Sequence, residues 1–477
     1  MVASNHGRAL KQSIMKFLEK LLLALLGATI CHTAVFAGGP MTNTNQSAAF
    51  LRSLARGTSL QSDAVYYNPA GVVFMDNGFH IGINDQMAKQ TRTTSSSLVM
   101  GNNLPGGFSE TEFQGSVFSP LVPSVHFAWK HNRIALMAGM GVNGGGGTIK
   151  YDNGLASFER IVSSFPTLLT ANGLTTTQYS RDLFLEGSSM TLAFNFGAAF
   201  RLTDWLSVAA MVRYSSSSNS YKAGLSNMML NPAHPLLNPT SQMVSASQLL
   251  TSINMAQYAA LVDQQLDVKQ KGSSFSPVLA LSFHKGKWDA SVKYEFEMRT
   301  ELENETSKDI NLGTGGMFPN GAKVKAETPA LLAVAVSRHF GPVKVTAEWH
   351  EFFDKNAENS FSNVITGNTT EYLLGAEWQI TDKWLVSAGA QYTALDMDPA
   401  KYSDMNFSCP SVSVGLGFMY SFSEKIGLNF GVMPTFYQDV TSTGIHSFGG
   451  MNLGQYTDVF SRTSIACSLG LDIKLGR

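Results

Sequence analysis

Apolar and polar positions along this chain alternate with period two. Between Ser188 and Tyr214, Leu192, Phe194, Phe196, Ala198, Phe200 and Leu202 share one face, and Thr191, Ala193, Asn195, Gly197, Ala199 and Arg201 share the other. After the turn Thr203-Asp204 the pattern resumes, with Leu206, Val208, Ala210, Val212 and Tyr214 opposite Ser207, Ala209, Met211 and Arg213. Successive side chains of a strand point to opposite faces, so this stretch predicts a hairpin with one greasy face and one small, polar face. Comparable segments recur at about 79–90, 122–131, 133–145, 189–202, 205–220, 275–284, 287–300, 327–338, 342–352, 371–380, 384–394, 411–422, 425–436 and 463–475. There are fourteen of them.

Short turns at 131–133, 203–204, 285–287, 340–341, 381–383 and 422–424 alternate with longer loops, of which 146–188 and 221–274 are the longest. In the last segment Ile465, Cys467, Leu469, Leu471, Ile473 and Leu475 oppose Ser464, Ala466, Ser468, Gly470, Asp472 and Lys474. Charges keep to one face and aromatics gather at strand ends, as interfacial girdles require. Unpaired backbone groups in hydrocarbon are so costly that only helices and closed barrels cross a bilayer. Beyond residue 37 no apolar run reaches helical spanning length. The expected fold is therefore all-β: a 14-stranded antiparallel transmembrane β-barrel. Short turns and both termini lie at the periplasmic face, and long loops lie outside. A soluble array of β-sandwiches is the competing arrangement.

Composition agrees with a large sheet against lipid. The 477 residues are 44% hydrophobic and only 14% charged, with 43 Gly. A net charge of −1 gives no attraction to nucleic acid. Cys31, Cys409 and Cys467 lack metal-ligand spacing, and a disulfide between the last two stays open. Residues 1–37 read as a signal peptide with an upstream extension, the native start being Met15. Arg8, Lys11, Lys16 and Lys20 precede the apolar run Leu21–Ile30, and Val35-Phe36-Ala37 offers the cleavage site. That run falls short of the roughly 20 residues of a membrane anchor. Ile30 before Cys31 is not the small residue that precedes a lipidated cysteine.

Residues 38–77 lack alternation and carry two notable strings, Gln46-Ser47-Ala48-Ala49-Phe50 and Tyr67-Asn68-Pro69-Ala70-Gly71, the second a turn signal. Gly139-Met140-Gly141-Val142-Asn143-Gly144 matches a dinucleotide fingerprint, but an extended stretch, Thr148–Tyr151, follows where that motif needs a helix. Glycines within a strand weaken its ladder, so Gly144, Gly145, Gly146 and Gly147 mark a defect in the third strand or, alternatively, a plain loop tip. No catalytic constellation, metal motif or cofactor site stands out, and His126, His284 and His350 are isolated lumenal residues. The two large loops contain short amphipathic helical patterns. Phe158, Ile161 and Phe165 mark one, and Leu249, Leu250 and Ile253 the other. Such faces either capture something apolar or pack as a lid.

The signal, the segment ending Tyr67-Asn68-Pro69-Ala70-Gly71, the glycine-interrupted third strand, the hairpin Gly197-Ala198-Ala199-Phe200-Arg201-Leu202-Thr203-Asp204-Trp205-Leu206-Ser207-Val208 and the strand opening Thr328-Pro329-Ala330 resemble the FadL family of outer-membrane fatty-acid and hydrocarbon transporters. The resemblance spans essentially the whole mature chain. It implies that residues 38–77 form a hatch plugging a barrel of residues 78–477, with Asn68, Pro69 and Ala70 in the hatch motif. It also implies passive, hatch-gated uptake of a hydrophobic small molecule by a monomeric barrel in outer-membrane lipid, with lateral exit at a kinked third strand. Long-chain fatty acid is the default ligand. An aromatic-hydrocarbon channel and an adhesin or structural barrel are the alternatives, and no enzymatic activity is expected. The chain departs from the family's pattern in ending Lys474-Leu475-Gly476-Arg477 rather than on an aromatic residue.

Overall fold

The computed structural model describes residues 45–97, 112–171, 173–234, 238–252, 259, 262–310, 316–448 and 451–476. The signal peptide, Cys31, the first residues of the plug and Ile253 lie outside the described residues. Fourteen strands form the wall: β1 (Gly78–Ser96), β2 (Glu112–His131), β3 (Ile134–Tyr151), β4 (Tyr179–Arg201), β5 (Leu206–Leu230), β6 (Gln264–Lys285) and β7 (Trp288–Glu295), then β8 (Leu331–Phe340), β9 (Val343–Phe352), β10 (Thr369–Gln379), β11 (Trp384–Ala394), β12 (Ser411–Ser423), β13 (Ile426–Tyr437) and β14 (Met451–Leu475). Each pairs antiparallel with the next, and β14 pairs with β1 from Leu475↔Phe79 to Asp458↔Ser96, which closes the barrel. Four shorter pieces, Val244–Ser245, Glu301–Lys308, Lys323–Lys325 and Val440–Phe448, extend the sheet on the loop side.

The alternation sorts as lipid and lumen require. Phe196, Phe200, Leu469, Tyr372 and Leu374 are exposed on the outside, whereas Asn195, Arg213, Ser387 and Ser468 are buried inside. Trp205, Trp288, Phe340, Trp378, Trp384 and Phe422 stand exposed around the turn end as an aromatic girdle. A closed antiparallel barrel with an apolar belt leaves no backbone group unpaired towards lipid, so the chain spans a membrane by its strands.

Several strands are longer than their alternation shows. Residues 146–151 and 179–188 belong to β3 and β4, and 221–230 and 264–274 to β5 and β6, so much of the two largest expected loops is sheet. Outside the belt the outward face turns polar, while Leu185, Tyr221, Ala223, Leu266 and Val268 are buried on the inward face, so the lipid-facing alternation does not continue there.

Residues 45–77 fill the lumen. Helix α1 (Ala48–Ser53), capped by Ser47 Oγ accepting from Phe50 N–H at 3.0 Å, lies against β10–β14. Inward glycines make this approach possible. A Cβ on Gly389 would sit 2.0 Å from the Ser53 carbonyl oxygen, on Gly375 2.4 Å from the same atom, and on Gly415 2.5 Å from that of Leu51. Gly375, Gly389 and Gly415 are register partners, so they form a stripe across three strands. Helix α2 (Ala64–Tyr67) and a 3-10 turn (Pro69–Phe74) complete the plug, with Val65, Val72 and Val73 packed on Ala128, Met137, Ala199 and Met211 of the wall.

Candidate functional site

The wall is split between β2 and β3. Their ladder runs from His131↔Ile134 to Ser124↔Gly141 and resumes only at Ser116↔Lys150. Residues 117–123 of β2 and 142–149 of β3 therefore have no partners in each other. Each side stays attached to its other neighbour: Val117 pairs with Gln90 of β1, and Gly144 and Gly147 with Thr191 and Ser189 of β4. The glycine run thus lies within a strand that continues to Tyr151, not at a loop tip. Gly145 and Gly146 adopt φ of +68° and +117°, a region that side chains with a Cβ avoid, and the β3–β4 register shifts on both sides of Gly144–Gly145. On β2, Pro120 and Pro123 lack the N–H that a ladder needs. These two prolines are the sequence signal that marks the opposite lip.

Inside the split lies a chamber of ≈ 270 Å³, bordered by Phe50 of the plug, Val117, Val122, Gly145–Gly147, Met433 and Arg462. The Arg462 Nη2 donates to Gln90 Oε1 at 2.9 Å. Arg462 Nε and Gln90 Nε2 are buried with no hydrogen-bond partner.

No protein-family model matches the chain, and no curated protein matches it. Solved structures do. A Pseudomonas aeruginosa FadL homologue superposes with a TM-score of 0.63 at 13% identity, covering 93% of this chain and 100% of that one. The Pseudomonas putida toluene transporter TodX gives 0.54 at 12% identity, over 93% and 100% of the two chains. The fold is the FadL fold. A closed barrel of this kind belongs to the outer-membrane type, whose short turns are periplasmic and whose longer loops are extracellular.

The plug of the FadL-type barrel is bolted to the wall by buried charge. Arg56 binds Asp63 through Nε (2.8 Å) and Nη2 (3.0 Å), and its Nη1 reaches Glu377 at 3.0 Å. Arg52 binds the same Glu377 oxygen at 2.6 Å and Asn429 Oδ1 at 3.1 Å. Gly57 N–H donates to Glu348 at 2.8 Å, and His350 sits between Glu348 (2.7 Å) and Glu371 (2.8 Å). Burial works to raise the Asp63 carboxyl, but the Arg56 charge and hydrogen bonds from Arg56 and Ser59 hold it below its ordinary value. A carboxyl depressed on folding contributes stability that is complete above its unfolded pKa, about 4, and lost as pH falls through the lowered value. Amide protection over 48–74, taken relative to the intrinsic exchange rate at each pH, is accordingly expected to be high at pH 5 and to fall below about pH 4. Unchanged protection down to pH 2 would contradict this.

Asn68, Pro69 and Ala70 open the 3-10 turn, and their hydrogen bonds run within the plug and to β5. Asn68 Oδ1 caps the 3-10 turn by accepting from Gly71 N–H (3.2 Å), and its Nδ2 donates to the Ser59 carbonyl (3.1 Å). The Ala70 carbonyl accepts from Ser207 Oγ of β5 at 2.6 Å. Against the interrupted wall stand α2, whose Tyr66 hydroxyl donates to Asn143 Oδ1 at 3.3 Å, Gln46, which donates to the Val142 carbonyl, and Phe50, which borders the chamber.

The expected helix in the first large loop is two short ones, α3 (Ala156–Val162) and α4 (Phe165–Ala171), and α5 (Ala246–Ser252) lies in the second. Phe165 and Leu249 are buried, and Phe158, Ile161 and Leu250 half-buried, with Phe158 against Leu155, Leu185, Tyr221 and Phe318. Arg160 pairs with Asp458 at 2.8 and 2.9 Å over the Tyr456 ring, and Glu159 accepts from Tyr179 (2.5 Å) and Arg181 (2.6 Å). The first loop is thereby pinned to β14. Ser164 Oγ of that loop meets His446 Nε2 at 2.8 Å, but Ser164 donates its proton to the Arg160 carbonyl at 2.6 Å, so the histidine donates to the serine.

Proposed function

We propose that this barrel carries hydrophobic molecules across the outer membrane by passive diffusion. The ligand enters beneath the external loops, occupies the chamber above the plug and leaves sideways into the bilayer between β2 and β3. The observation that supports this reading is the split ladder: a wall held together on both flanks but unpaired along 117–123 and 142–149, with the chamber behind it. Sideways exit keeps an apolar ligand out of water, and neither step needs energy coupling. Phe158, Ile161, Phe165, Leu249 and Leu250 serve in this scheme as the apolar entrance, exposed when those loops part, and Asn68, Pro69 and Ala70 keep the plug in shape. TodX is a toluene transporter and the FadL homologue shares the same fold, so the fold alone does not choose between aromatic hydrocarbons and fatty acids.

The chamber supports the fatty acid. Arg462 and Glu371 are the charged residues that border the chamber; Glu371 is occupied by His350, whereas Arg462 Nε and Gln90 Nε2 offer two unused donors for a carboxylate. Uptake of radiolabelled oleate and toluene by cells expressing the barrel tests both levels. Uptake of neither would end the transport reading. Arg462→Met is expected to lower oleate uptake by roughly tenfold, the loss of one charge-assisted hydrogen bond, and to leave toluene unaffected. Equal effects on both would remove the carboxylate from the argument.

A further inference from the structure

We infer that Gln46 is a removable peg that closes the split between β2 and β3; the inference rests on the lateral route proposed above. Where the ladder parts, backbone groups of β3 that would pair with β2 face a passage for apolar ligands. A buried carbonyl left there without a donor is unfavourable. Gln46 supplies the missing partner from the plug. Its Nε2 donates to the Val142 carbonyl at 2.7 Å, at the first residue of β3 beyond the last pair, Ser124↔Gly141. Its own carbonyl accepts from Ser124 Oγ of β2 at 2.5 Å. One residue therefore bridges the two lips at the point where their ladder fails.

The fit is made for it. Gln46 is almost completely buried, and a Cβ on Gly141 would lie 2.0 Å from Gln46 Oε1, so the glycine there gives the amide its place. Gln46 N–H donates to the Tyr67 hydroxyl at 2.8 Å, which ties the peg to α2. The preceding residue is held too, the Asn45 carbonyl accepting from Gln86 Nε2 of β1 at 3.0 Å. Asn45 and Phe50 also border the chamber, so an arriving ligand meets the segment that carries the peg. Gln46 is uncharged and makes no ion pair with the wall, and a change of its side-chain rotamer removes the hydrogen bond to the Val142 carbonyl.

The peg works as a donor, which separates it from packing. Gln46→Glu keeps the length and shape but turns an oxygen towards the Val142 carbonyl. In purified, reconstituted barrel, Gln46→Glu is expected to speed amide exchange over 117–123 and 142–149 roughly fivefold, the loss of one hydrogen bond, with 48–53 unchanged. Oleate uptake should rise above that of the parent, and adding Gly147→Val should cancel the gain. Gln46→Ala, as a second variant, should move both readouts in the same direction. Parent-like exchange and uptake at or below parent level in both variants would overturn the peg. If Gly147→Val alone left parental uptake intact, the lateral route would fail instead, while exchange at the split, which needs no ligand, would still decide the role of Gln46.

Discussion

Gly147→Val is expected to reduce hydrophobic uptake roughly tenfold to a hundredfold while the barrel stays folded. Gly147 lies in the split, and a Cβ there would come within 2.4 Å of Val117 Cγ2 and Ser119 Oγ across the gap. Its φ is not in the left-handed region, so valine fits the backbone and spends its bulk on the opening. Overpacking of this kind costs about 1–3 kcal/mol, and an opening that must displace the side chain carries that cost in its barrier. Gly145→Val is a poorer probe. Gly145 has φ +68°, and its Cβ would strike the Ser189 carbonyl oxygen of β4 at 2.2 Å, which damages the wall instead of filling the gap. The measurement is oleate uptake normalised to folded surface protein by heat-modifiable gel mobility. Parental uptake in Gly147→Val would send the ligand straight through. A cavity of ≈ 580 Å³ at the turn end, bordered by Leu60, Phe74, Met419, Phe422 and Ile473, is the place to look for that exit.

Arg56→Met should loosen the plug without opening the wall. It leaves Asp63 buried with hydroxyl donors but no cation, and takes one of two guanidinium groups from Glu377. Removing one partner of a buried pair costs roughly 3–5 kcal/mol, because the remaining charge is uncompensated. The effect should appear as rapid proteolysis and exchange over 48–74, and as ion conductance in planar bilayers that the parent lacks. Wall strands, whose ladders do not involve Arg56, should keep their heat-resistant mobility. A silent Arg56→Met would mean that apolar packing around Phe50, Leu51 and Tyr67 suffices to hold the plug.

The fourteen strands were legible because lipid and lumen impose opposite demands on alternate residues, as in Phe196 against Asn195. The same logic explains where reading failed. Lys222, Lys269 and Lys271 lie on β5 and β6 beyond the belt, where neither face meets lipid, so those residues read as loop. The glycine run gave away the β3 lip, because no other residue tolerates φ of +117° cheaply. The β2 lip was missed although Pro120 and Pro123 stand in it. The Asn68-Pro69 turn was legible as a turn, since its hydrogen bonds are local. Its docking on β5 was not, and the string Gln46-Ser47-Ala48-Ala49-Phe50 gives no sign of what Gln46 touches. Its partners Ser124 and Val142 lie far away in the sequence, and only the closed barrel brings them to the plug.

The glycine stripe on β10–β12 bears on assembly order. Glycine is a poor strand former, and a stripe of it gives neighbouring strands no side chains through which to grip one another. On that sector the backbone of α1, through the Leu51 and Ser53 carbonyls, lies in the space those side chains would take, so the wall borrows its cohesion from the plug. Strands β10–β12 should therefore acquire full order only once residues 48–55 are in place, and barrel and plug mature as a single cooperative unit, the sheet wrapping its own mandrel.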